Sequence, residues 1–362
     1  MLPYLREEFG NAASNTHVYG WRAEAAVEDA RERLCEMLAA PAPGEIVFTS
    51  GATESNNLAI LGLADAQKSR RHLVTVQTEH PSVLDPCRAL TRRGFESTEL
   101  EVDAMGLVSV DAVEAAIRED TFLVSVMAAN NEIGVLQPIT EIAAICQERG
   151  LPFHTDAAQA AGKIALDAAG QGLDLISVSG HKLYGPKGIG LLRVRKRPRL
   201  RLEPRQYGGG HEAGLRSGTL PVAAIVGFAR AFGICAEERE TESIRMATLR
   251  DELWQALDEA LPDRLCWNGD RTRRLTGNLN VSISGVDGER LLADLGGLAV
   301  SSGSACSSAS PEPSHVLLAL GHSPALARAS LRFGLGRGNT SEEVAFAADR
   351  VIAAVKRQVS DA

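Results

Sequence analysis

This sequence of 362 residues has few aromatic residues and no closely spaced cysteine pair. It also lacks long apolar runs and an excess of positive charge. Only 4% of the residues are aromatic, and the six cysteines include no Cys-x-x-Cys pair, so neither a zinc site nor a disulfide framework is indicated. No stretch is apolar over the length of a bilayer, and the first residues contain no signal-peptide core. We therefore expect a cytoplasmic protein without a structural metal.

The net charge of −8 argues against direct nucleic-acid binding, which usually requires a basic face. Hydrophobic residues make up 44% of the chain, and 34 glycines provide for many turns. This length and composition predict one large domain and a smaller one.

Apolar strand patterns alternate with helical patterns from about residue 21 to residue 240, which predicts a mostly parallel sheet with helices on both faces. The strands are apolar throughout, as expected for strands buried on both sides. The predicted strands are Ile46–Thr49, His72–Val76, Phe122–Met127, Pro152–Thr155, Leu173–Val178 and Gly190–Val194. The predicted helices are Glu54–Ala66, Pro81–Arg93, Val110–Arg118, Ile139–Arg149 and Leu220–Arg239.

A long charged helix, about Glu240–Leu261, is expected to connect this region to an α+β domain. We predict a large domain over residues 1–244 and a small domain over residues 245–362. The small domain is expected to contain a strand at Gly277–Ser284 and helices at Glu289–Leu295, Pro313–Leu320, Ser323–Ala329 and Ser341–Val359.

A lysine follows one of the buried strands, in the run Ser179-Gly180-His181-Lys182. Open α/β proteins bind ligands at the carboxyl ends of their parallel strands. Lys182 is therefore a candidate Schiff-base lysine, although a surface lysine after a strand would have the same local sequence.

Other strands also end in polar residues. The turn Gly51-Ala52-Thr53 begins a helix and suits a phosphate, although Thr53 as an ordinary N-cap is an alternative. His80, Asn131, Asp156 and Gln159 follow three further strands. Together these residues fit one ligand with a phosphate, a ring nitrogen and an aldehyde, namely pyridoxal 5′-phosphate.

Each residue type suits a part of that cofactor. Asp156 would pair with the ring nitrogen, His80 would lie over the ring and move protons, and Gln159 could donate to the phenolic oxygen. The phosphate would be held by Thr53, Ser179 and His181.

These motifs, in this order, resemble fold-type I pyridoxal-phosphate enzymes of the class V aminotransferase group and, more narrowly, the NifS/IscS-type cysteine desulfurases. The resemblance runs from about Phe9 to about Arg337. Its main motifs are Ser50-Gly51-Ala52-Thr53-Glu54-Ser55-Asn56, Thr78-Glu79-His80, Asn130-Asn131-Glu132-Ile133-Gly134, Asp156-Ala157-Ala158-Gln159, Ser179-Gly180-His181-Lys182, Arg216-Ser217-Gly218-Thr219, Ser301-Ser302-Gly303-Ser304-Ala305-Cys306 and Arg332-Phe333.

The resemblance implies a role for each matching residue. Lys182 carries the cofactor, and the ring is contacted by His80, Asn131, Asp156 and Gln159. The phosphate contacts it implies are Ala52, Thr53, Ser179 and His181, together with Thr219 from a neighbouring subunit, which implies a homodimer. Arg332 binds the substrate carboxylate, for which a bidentate guanidinium is suited, and Asn131 also contacts the substrate.

Cys306 lies among small residues that predict a loop, and the resemblance makes it the sulfur-accepting residue. Its thiolate would attack the sulfur of L-cysteine bound to the cofactor, leaving L-alanine and a persulfide on Cys306. The persulfide would supply an acceptor protein, either an iron–sulfur scaffold or a protein of tRNA or other thiolation. The alternative is a loop cysteine of no consequence.

Other functions stay open on the sequence. One is a selenocysteine lyase or another class V lyase or aminotransferase. Another is a weakly active or scaffolding homologue, because the segment resembling Tyr-Leu-Asp-x-x-Ala-Thr-Thr-Pro with which family members usually begin has no counterpart here.

Overall fold

The computed structural model describes residues 1–302 and 312–360, which form two compact units. The first unit comprises Met1–Leu100, Val110–Ala128 and Pro138–Arg239, and the second comprises Glu101–Ser109, Ala129–Gln137 and Glu240–Ala362. Two short segments from the first half of the chain thus belong to the second unit.

Within the described residues, the first unit contains a sheet of seven strands in the order β1-β7-β6-β5-β4-β2-β3. The strands are β1 (Ile46–Thr49), β2 (His72–Val76), β3 (Glu96–Leu100), β4 (Thr121–Ser125), β5 (Phe153–Asp156), β6 (Leu175–Ser179) and β7 (Gly190–Val194). Strand β7 is antiparallel to both of its neighbours, and the other adjacent pairs are parallel. The predicted mostly parallel sheet is confirmed.

The inner strands are buried along their whole length, which explains their continuous apolar sequences. Strands β4, β5 and β6 differ from the predicted strands by one to two residues at their ends. Strand β3 was not predicted, because its sequence Glu-Ser-Thr-Glu-Leu is polar. It lies at the edge of the sheet with its residues partly exposed, where apolar residues are not required.

Helices flank this sheet. They are α1 (Leu2–Arg6), α2 (Val18–Met37), α3 (Ala52–Asp65), α4 (Pro81–Thr91), α5 (Val110–Ala116) and α6 (Ile139–Glu148). Leu58 and Leu63 of α3 and Leu90 of α4 share one core cluster with Leu73 and Phe122 of the sheet. This packing fixes the position of the N-terminal ends of α3 and α4.

A single helix, α7 (Val222–Ala260), occupies the region for which the sequence predicted two helices. The prediction of a break between Arg239 and Glu240 is wrong. Arginine and glutamate are both good helix formers, and neither Pro nor Gly interrupts the chain there. The change from an apolar to a charged sequence alters the surface of the helix without ending it. The predicted domain boundary at residues 244 and 245 lies inside this helix.

The second unit contains, in its described part, an antiparallel sheet in the order β10-β9-β8. Its strands are β8 (Leu265–Trp267), β9 (Asn278–Ile283) and β10 (Ser330–Gly334). Its further helices are α8 (Gly288–Asp294), α9 (His315–Ala319), α10 (Pro324–Arg328) and α11 (Ser341–Ser360). Leu253, Leu279, Leu331 and Val351 join α7, the sheet and α11 in one core. Across the described residues of both units, none of the helices has the length and apolar character needed to cross a membrane.

Candidate active site

Several predicted site residues meet at one edge of the sheet in the first unit. Asp156 ends β5 beside Ser177 of the adjacent strand β6, which ends at Ser179. Gly190 of β7 pairs with both Ser179 and Thr49, the last residue of β1. The ends of β1, β5 and β6 are therefore close together, as expected for parallel strands in one sheet.

The first turn of α3 adjoins this edge, because only two residues separate the end of β1 at Thr49 from the helix start at Ala52. Gly51 is the N-cap residue with φ of +152°, and no side chain caps the helix. The N–H groups of the first turn thus lack partners within the helix, and the positive end of the helix dipole adds to their attraction for an anion. Thr53 lies inside this turn and is exposed, so the alternative that Thr53 is the N-cap is wrong.

Ser179 borders the same turn, since a Cβ placed on Gly51 would lie 3.5 Å from Ser179 Oγ. Ser179 Oγ is also 2.9 Å from His181 Nδ1. Burial lowers the pKa of His181, and the charges of Lys182 and Lys187 lower it further. A hydroxyl and an imidazole with a lowered pKa therefore lie beside the helix N–H groups, and both could donate to a phosphate.

Lys182 lies in a tight turn directly after β6, and the lysine is exposed. Tyr184 ends the turn with a left-handed φ of +62°. A Cβ on Gly180 would be 3.0 Å from the carbonyl oxygen of Pro186, which is a tighter contact than most Cβ atoms make, so a larger residue would require its neighbours to shift. The turn places Lys182 three residues beyond Ser179, the last residue of β6, at the sheet edge where Asp156 ends β5.

Asp156 is 8% exposed and accepts two hydrogen bonds. The donors are Asn56 Nδ2 at 2.7 Å and the backbone N–H of Ala158 at 2.9 Å. Asn56 Nδ2 also donates to Ser82 Oγ at 2.9 Å, and Ser82 Oγ is 2.8 Å from His80 Nδ1. The predicted residues Asp156 and His80 are thus linked through two residues to which the sequence analysis assigned no role.

The buried carboxyl group of Glu79 lies near Asp156 and accepts a hydrogen bond from the backbone N–H of Met127 at 2.5 Å. Burial raises the pKa of Glu79 well above its usual range, and the negative charge of Asp156 raises it further. Of these two carboxyl groups, Asp156 is therefore the better candidate to carry a negative charge beside a protonated ring nitrogen.

Gln159 and Thr219 are two further predicted residues of the first unit, which also contains Thr53 and His80. Gln159 Oε1 accepts a hydrogen bond from Lys163 Nζ at 3.2 Å. Thr53 and His80 line one surface cavity of about 490 Å³ together with Ser82. Thr219 is exposed.

Arg332 and Asn131 lie together in the second unit. Arg332 Nη1 donates to the carbonyl oxygen of Asn131 at 2.9 Å, and the Arg332 backbone pairs with that of Ser301. The neighbouring Glu132 is 3% exposed and accepts a hydrogen bond from Ser314 Oγ. Burial raises the pKa of Glu132 to about 7, although the Ser314 bond and the charge of Arg332 act in the opposite direction. The sequence pattern predicts no role for Glu132, which differs from an ordinary surface glutamate only in its burial.

Cys306 lies outside the described residues. Among the described cysteines, Cys35, Cys87, Cys146 and Cys235 are buried and Cys266 is exposed. Burial raises the pKa of Cys146 to about 12 and that of Cys87 further still. These two thiols are therefore poor nucleophiles at neutral pH.

The first unit thus offers an uncapped helix N-terminus, a buried carboxylate and a lysine at one sheet edge. Such a set fits a phosphorylated pyridine aldehyde. The anionic phosphate matches the helix end, the ring nitrogen matches Asp156, and the aldehyde matches the amine of Lys182.

Comparison with known proteins agrees with this description. The aminotransferase class-V family matches residues 1–346. The chain is 54% identical over 352 residues to a protein of Neisseria meningitidis named cysteine desulfurase IscS, a match that covers 97% of this chain and 86% of that protein. It is 52% identical over 358 residues to the cysteine desulfurase of Mus musculus, covering 99% of this chain and 78% of the relative.

Solved structures show the same fold. A NifS-like protein aligns with a TM-score of 0.90 at 34% identity, covering 98% of this chain and 94% of that one. A structure described as SspA in complex with cysteine aligns with a TM-score of 0.82 at 39% identity, covering 92% of both chains. The chain belongs to the aminotransferase class-V family. Within that family, the relatives named above are cysteine desulfurases.

Proposed function

We propose that this chain is a cysteine desulfurase, which uses pyridoxal 5′-phosphate to convert L-cysteine to L-alanine and retains the sulfur as a persulfide. The main structural support is the convergence of Asp156, Lys182 and the uncapped N-terminus of α3 at one sheet edge. The identity of more than half of all aligned residues with named cysteine desulfurases supports the choice of reaction.

The residues of the first unit would hold the cofactor. Lys182 would hold its aldehyde, and Asp156 would pair with its ring nitrogen. His80 and Gln159 would contact the ring, with Gln159 as a donor to the phenolic oxygen. The phosphate ligands are Ala52, Thr53, Ser179 and His181. The bound group supplies an electron sink that weakens bonds at the substrate.

The substrate contacts would come from Arg332 and Asn131. The guanidinium of Arg332 binds the carboxylate of L-cysteine, and its hydrogen bond to Asn131 fixes its orientation. Asn131 also contacts the substrate and the ring. Loss of such a charged hydrogen bond should weaken the binding of L-cysteine by roughly one to two orders of magnitude.

Cys306 would accept the sulfur. Its thiolate attacks the substrate sulfur, a sulfur–sulfur bond forms, and the carbon–sulfur bond breaks. The electron pair of the broken bond stays with the carbon, which takes up a proton and becomes the methyl group of alanine. The persulfide then passes its outer sulfur to an acceptor protein of iron–sulfur assembly, tRNA thiolation or another thiolation pathway.

We extend the proposal to a homodimer in the cytoplasm in which Thr219 reaches the phosphate of the neighbouring subunit. The substrate is L-cysteine rather than selenocysteine, as the names of the relatives favour. Retention of Lys182, Asp156 and His80 favours an enzyme over a scaffolding homologue, because a scaffold needs none of them.

The test is to purify the protein with added cofactor, record the visible absorption of the lysine-bound form, and measure alanine and sulfide after adding L-cysteine and a thiol reductant. Lys182→Ala should abolish the absorption band and the activity, and Cys306→Ala should keep the band and lose the activity. Cys266→Ala serves as the matched control, because Cys266 is the exposed one among the cysteines that the structure describes. Full activity in Cys306→Ala would contradict the proposed mechanism.

A further inference from the structure

We propose that Ser82 and Asn56 are positioning residues of this site. Ser82 holds His80 in the tautomer that carries its proton on Nε2, and Asn56 ties this histidine to the carboxylate of Asp156. The inference rests on the proposed function for the roles of His80 and Asp156, and it adds two residues and a protonation pattern to it.

The tautomer follows from the N-cap geometry of α4. His80 is the N-cap residue, and its Nδ1 lies 3.1 Å from the backbone nitrogen of Ser82. A backbone N–H can only donate, so Nδ1 must keep its lone pair as the acceptor. The neutral ring therefore carries its proton on Nε2.

The side chain of Ser82 points to the same tautomer. Asn56 Nδ2 donates to Ser82 Oγ, which leaves the hydroxyl proton of Ser82 for His80 Nδ1, 2.8 Å away. Both donors of Ser82, the backbone N–H and the hydroxyl, thus face one nitrogen of His80.

The orientation of Asn56 is fixed from its other side. Its second N–H donates to Asp156 Oδ2 at 2.7 Å. An ionised carboxylate only accepts hydrogen bonds, so the amide nitrogen rather than the amide oxygen must face Asp156. The amide of Asn56 therefore donates one hydrogen bond to Asp156 and another to Ser82, which in turn donates to His80.

This orientation has an energetic cost. Asn56 is fully buried, and within residues 1–302 and 312–360 its Oδ1 has no hydrogen-bond partner. Buried polar atoms are normally paired, and leaving a carbonyl oxygen without a partner is destabilising. An amide with a purely structural role would be expected to satisfy its oxygen as well as its nitrogen. Asn56 therefore donates its two hydrogen bonds, to Asp156 and Ser82, at a cost to the stability of the fold.

The consequence concerns the direction of proton transfer. A general base needs a free lone pair, and the lone pair of His80 Nδ1 is engaged by Ser82. The other nitrogen, Nε2, carries a proton. In its neutral resting state His80 therefore presents an N–H donor at Nε2 and cannot remove a proton there, and proton uptake requires Nδ1 to be released from Ser82.

The tautomer is tested directly by nitrogen-15 NMR of the histidine rings in the cofactor-free protein at a pH where the ring is neutral, with His80→Gln to assign the signals. The result expected is a single His80 species protonated on Nε2. A species protonated on Nδ1 would overturn the inference. This measurement needs no cofactor. A wild-type protein that failed to bind pyridoxal phosphate would therefore refute the proposed function, whereas the tautomer of His80 would still be decided by the NMR spectrum.

The positioning role is tested by a double-mutant cycle on the dissociation constant of pyridoxal phosphate. Ser82→Ala and Asn56→Ala should each weaken binding by roughly three- to tenfold, and the double variant by less than the product, since both act through one chain of bonds. Ser82→Thr keeps the hydroxyl and should restore most of the affinity.

Ser125→Ala is the matched control, because Ser125 Oγ also contacts the Nδ1 of a buried histidine, His154, at 2.7 Å in the same unit. It should lower the unfolding free energy while leaving cofactor affinity unchanged. Ser82 and Asn56 have only a structural role if their alanine variants behave like this control.

Discussion

Asp156 and Asn56 are joined by a 2.7 Å hydrogen bond, although 100 residues separate them in the chain. Asn56 lies on α3, one turn after the helix start at Ala52. One helix therefore contributes both to the phosphate end and, through Asp156, to the ring-nitrogen end of the proposed cofactor site. A shift of α3 would move both contacts together, so the packing of this helix should control cofactor affinity.

Gly190→Ala tests that dependence. A Cβ at this position would lie 2.4 Å from the carbonyl oxygen of Val178 and 2.7 Å from Gly51 Cα, so the strand and the phosphate turn must separate. We expect the unfolding free energy to fall by about 1–3 kcal/mol and cofactor affinity to fall with it. Urea unfolding and cofactor titration measure the two effects.

Gly334→Ala is the control for this substitution. Among the described residues, no atom beyond the chain neighbours lies within 4 Å of a Cβ built on Gly334, so the change should alter stability by no more than about 0.5 kcal/mol. Unchanged stability and affinity in Gly190→Ala would show that α3 does not depend on this close approach.

Arg332→Lys tests the substrate contact. Lysine keeps the charge but cannot form the bidentate pair with a carboxylate, so the KM for L-cysteine should rise roughly 10- to 100-fold with a smaller fall in kcat. Arg350→Lys is the matched control, because Arg350 also donates to a backbone carbonyl, that of Gly296, in the same unit. Equal KM values for Arg332→Lys and the wild type would exclude Arg332 as the carboxylate ligand.

Glu132→Gln tests the buried carboxyl group through the pH dependence of stability. Burial raises the pKa of Glu132 to about 7 in the folded protein, whereas a carboxyl in the unfolded chain has an ordinary value near 4.5. The folded state therefore holds its proton over a range in which the unfolded state loses it. Stability should fall as pH rises from about 4.5 to 7 and then level off.

The glutamine variant lacks this dependence. The unfolding free energy of Glu132→Gln minus that of the wild type should therefore increase by on the order of 3 kcal/mol between pH 4.5 and pH 8. Urea unfolding of the cofactor-free protein across this range measures the difference, with Glu259→Gln as an exposed control. A constant difference between the wild type and Glu132→Gln would contradict a raised pKa.

Much of the first unit could be predicted from sequence, because buried parallel strands are apolar throughout and polar residues follow them. Lys182 and Asp156 were found in this way, and the structure places the ends of their strands side by side. Strand β3 and the unbroken α7 were not predicted. An edge strand needs no apolar residues, and a change of charge along a helix does not end it.

The roles of Ser82 and Asn56 could not be read from the sequence, because they depend on contacts between α3, α4 and β5. Neither residue follows a strand directly, and serine after His-Pro looks like an ordinary helix start. Glu132 was missed for a similar reason, since only burial in the folded chain distinguishes it from an exposed glutamate.

Sulfur transfer to Cys306 can be measured on the protein itself. The cofactor-loaded protein is mixed with one equivalent of L-cysteine without a reductant, and the protein and its peptides are analysed by mass spectrometry while alanine is quantified. We predict one added sulfur atom on the Cys306 peptide, removable by a thiol reductant, with an equal amount of alanine. Alanine formed at the wild-type rate by Cys306→Ser, or sulfur found on the exposed Cys266 instead, would contradict the account.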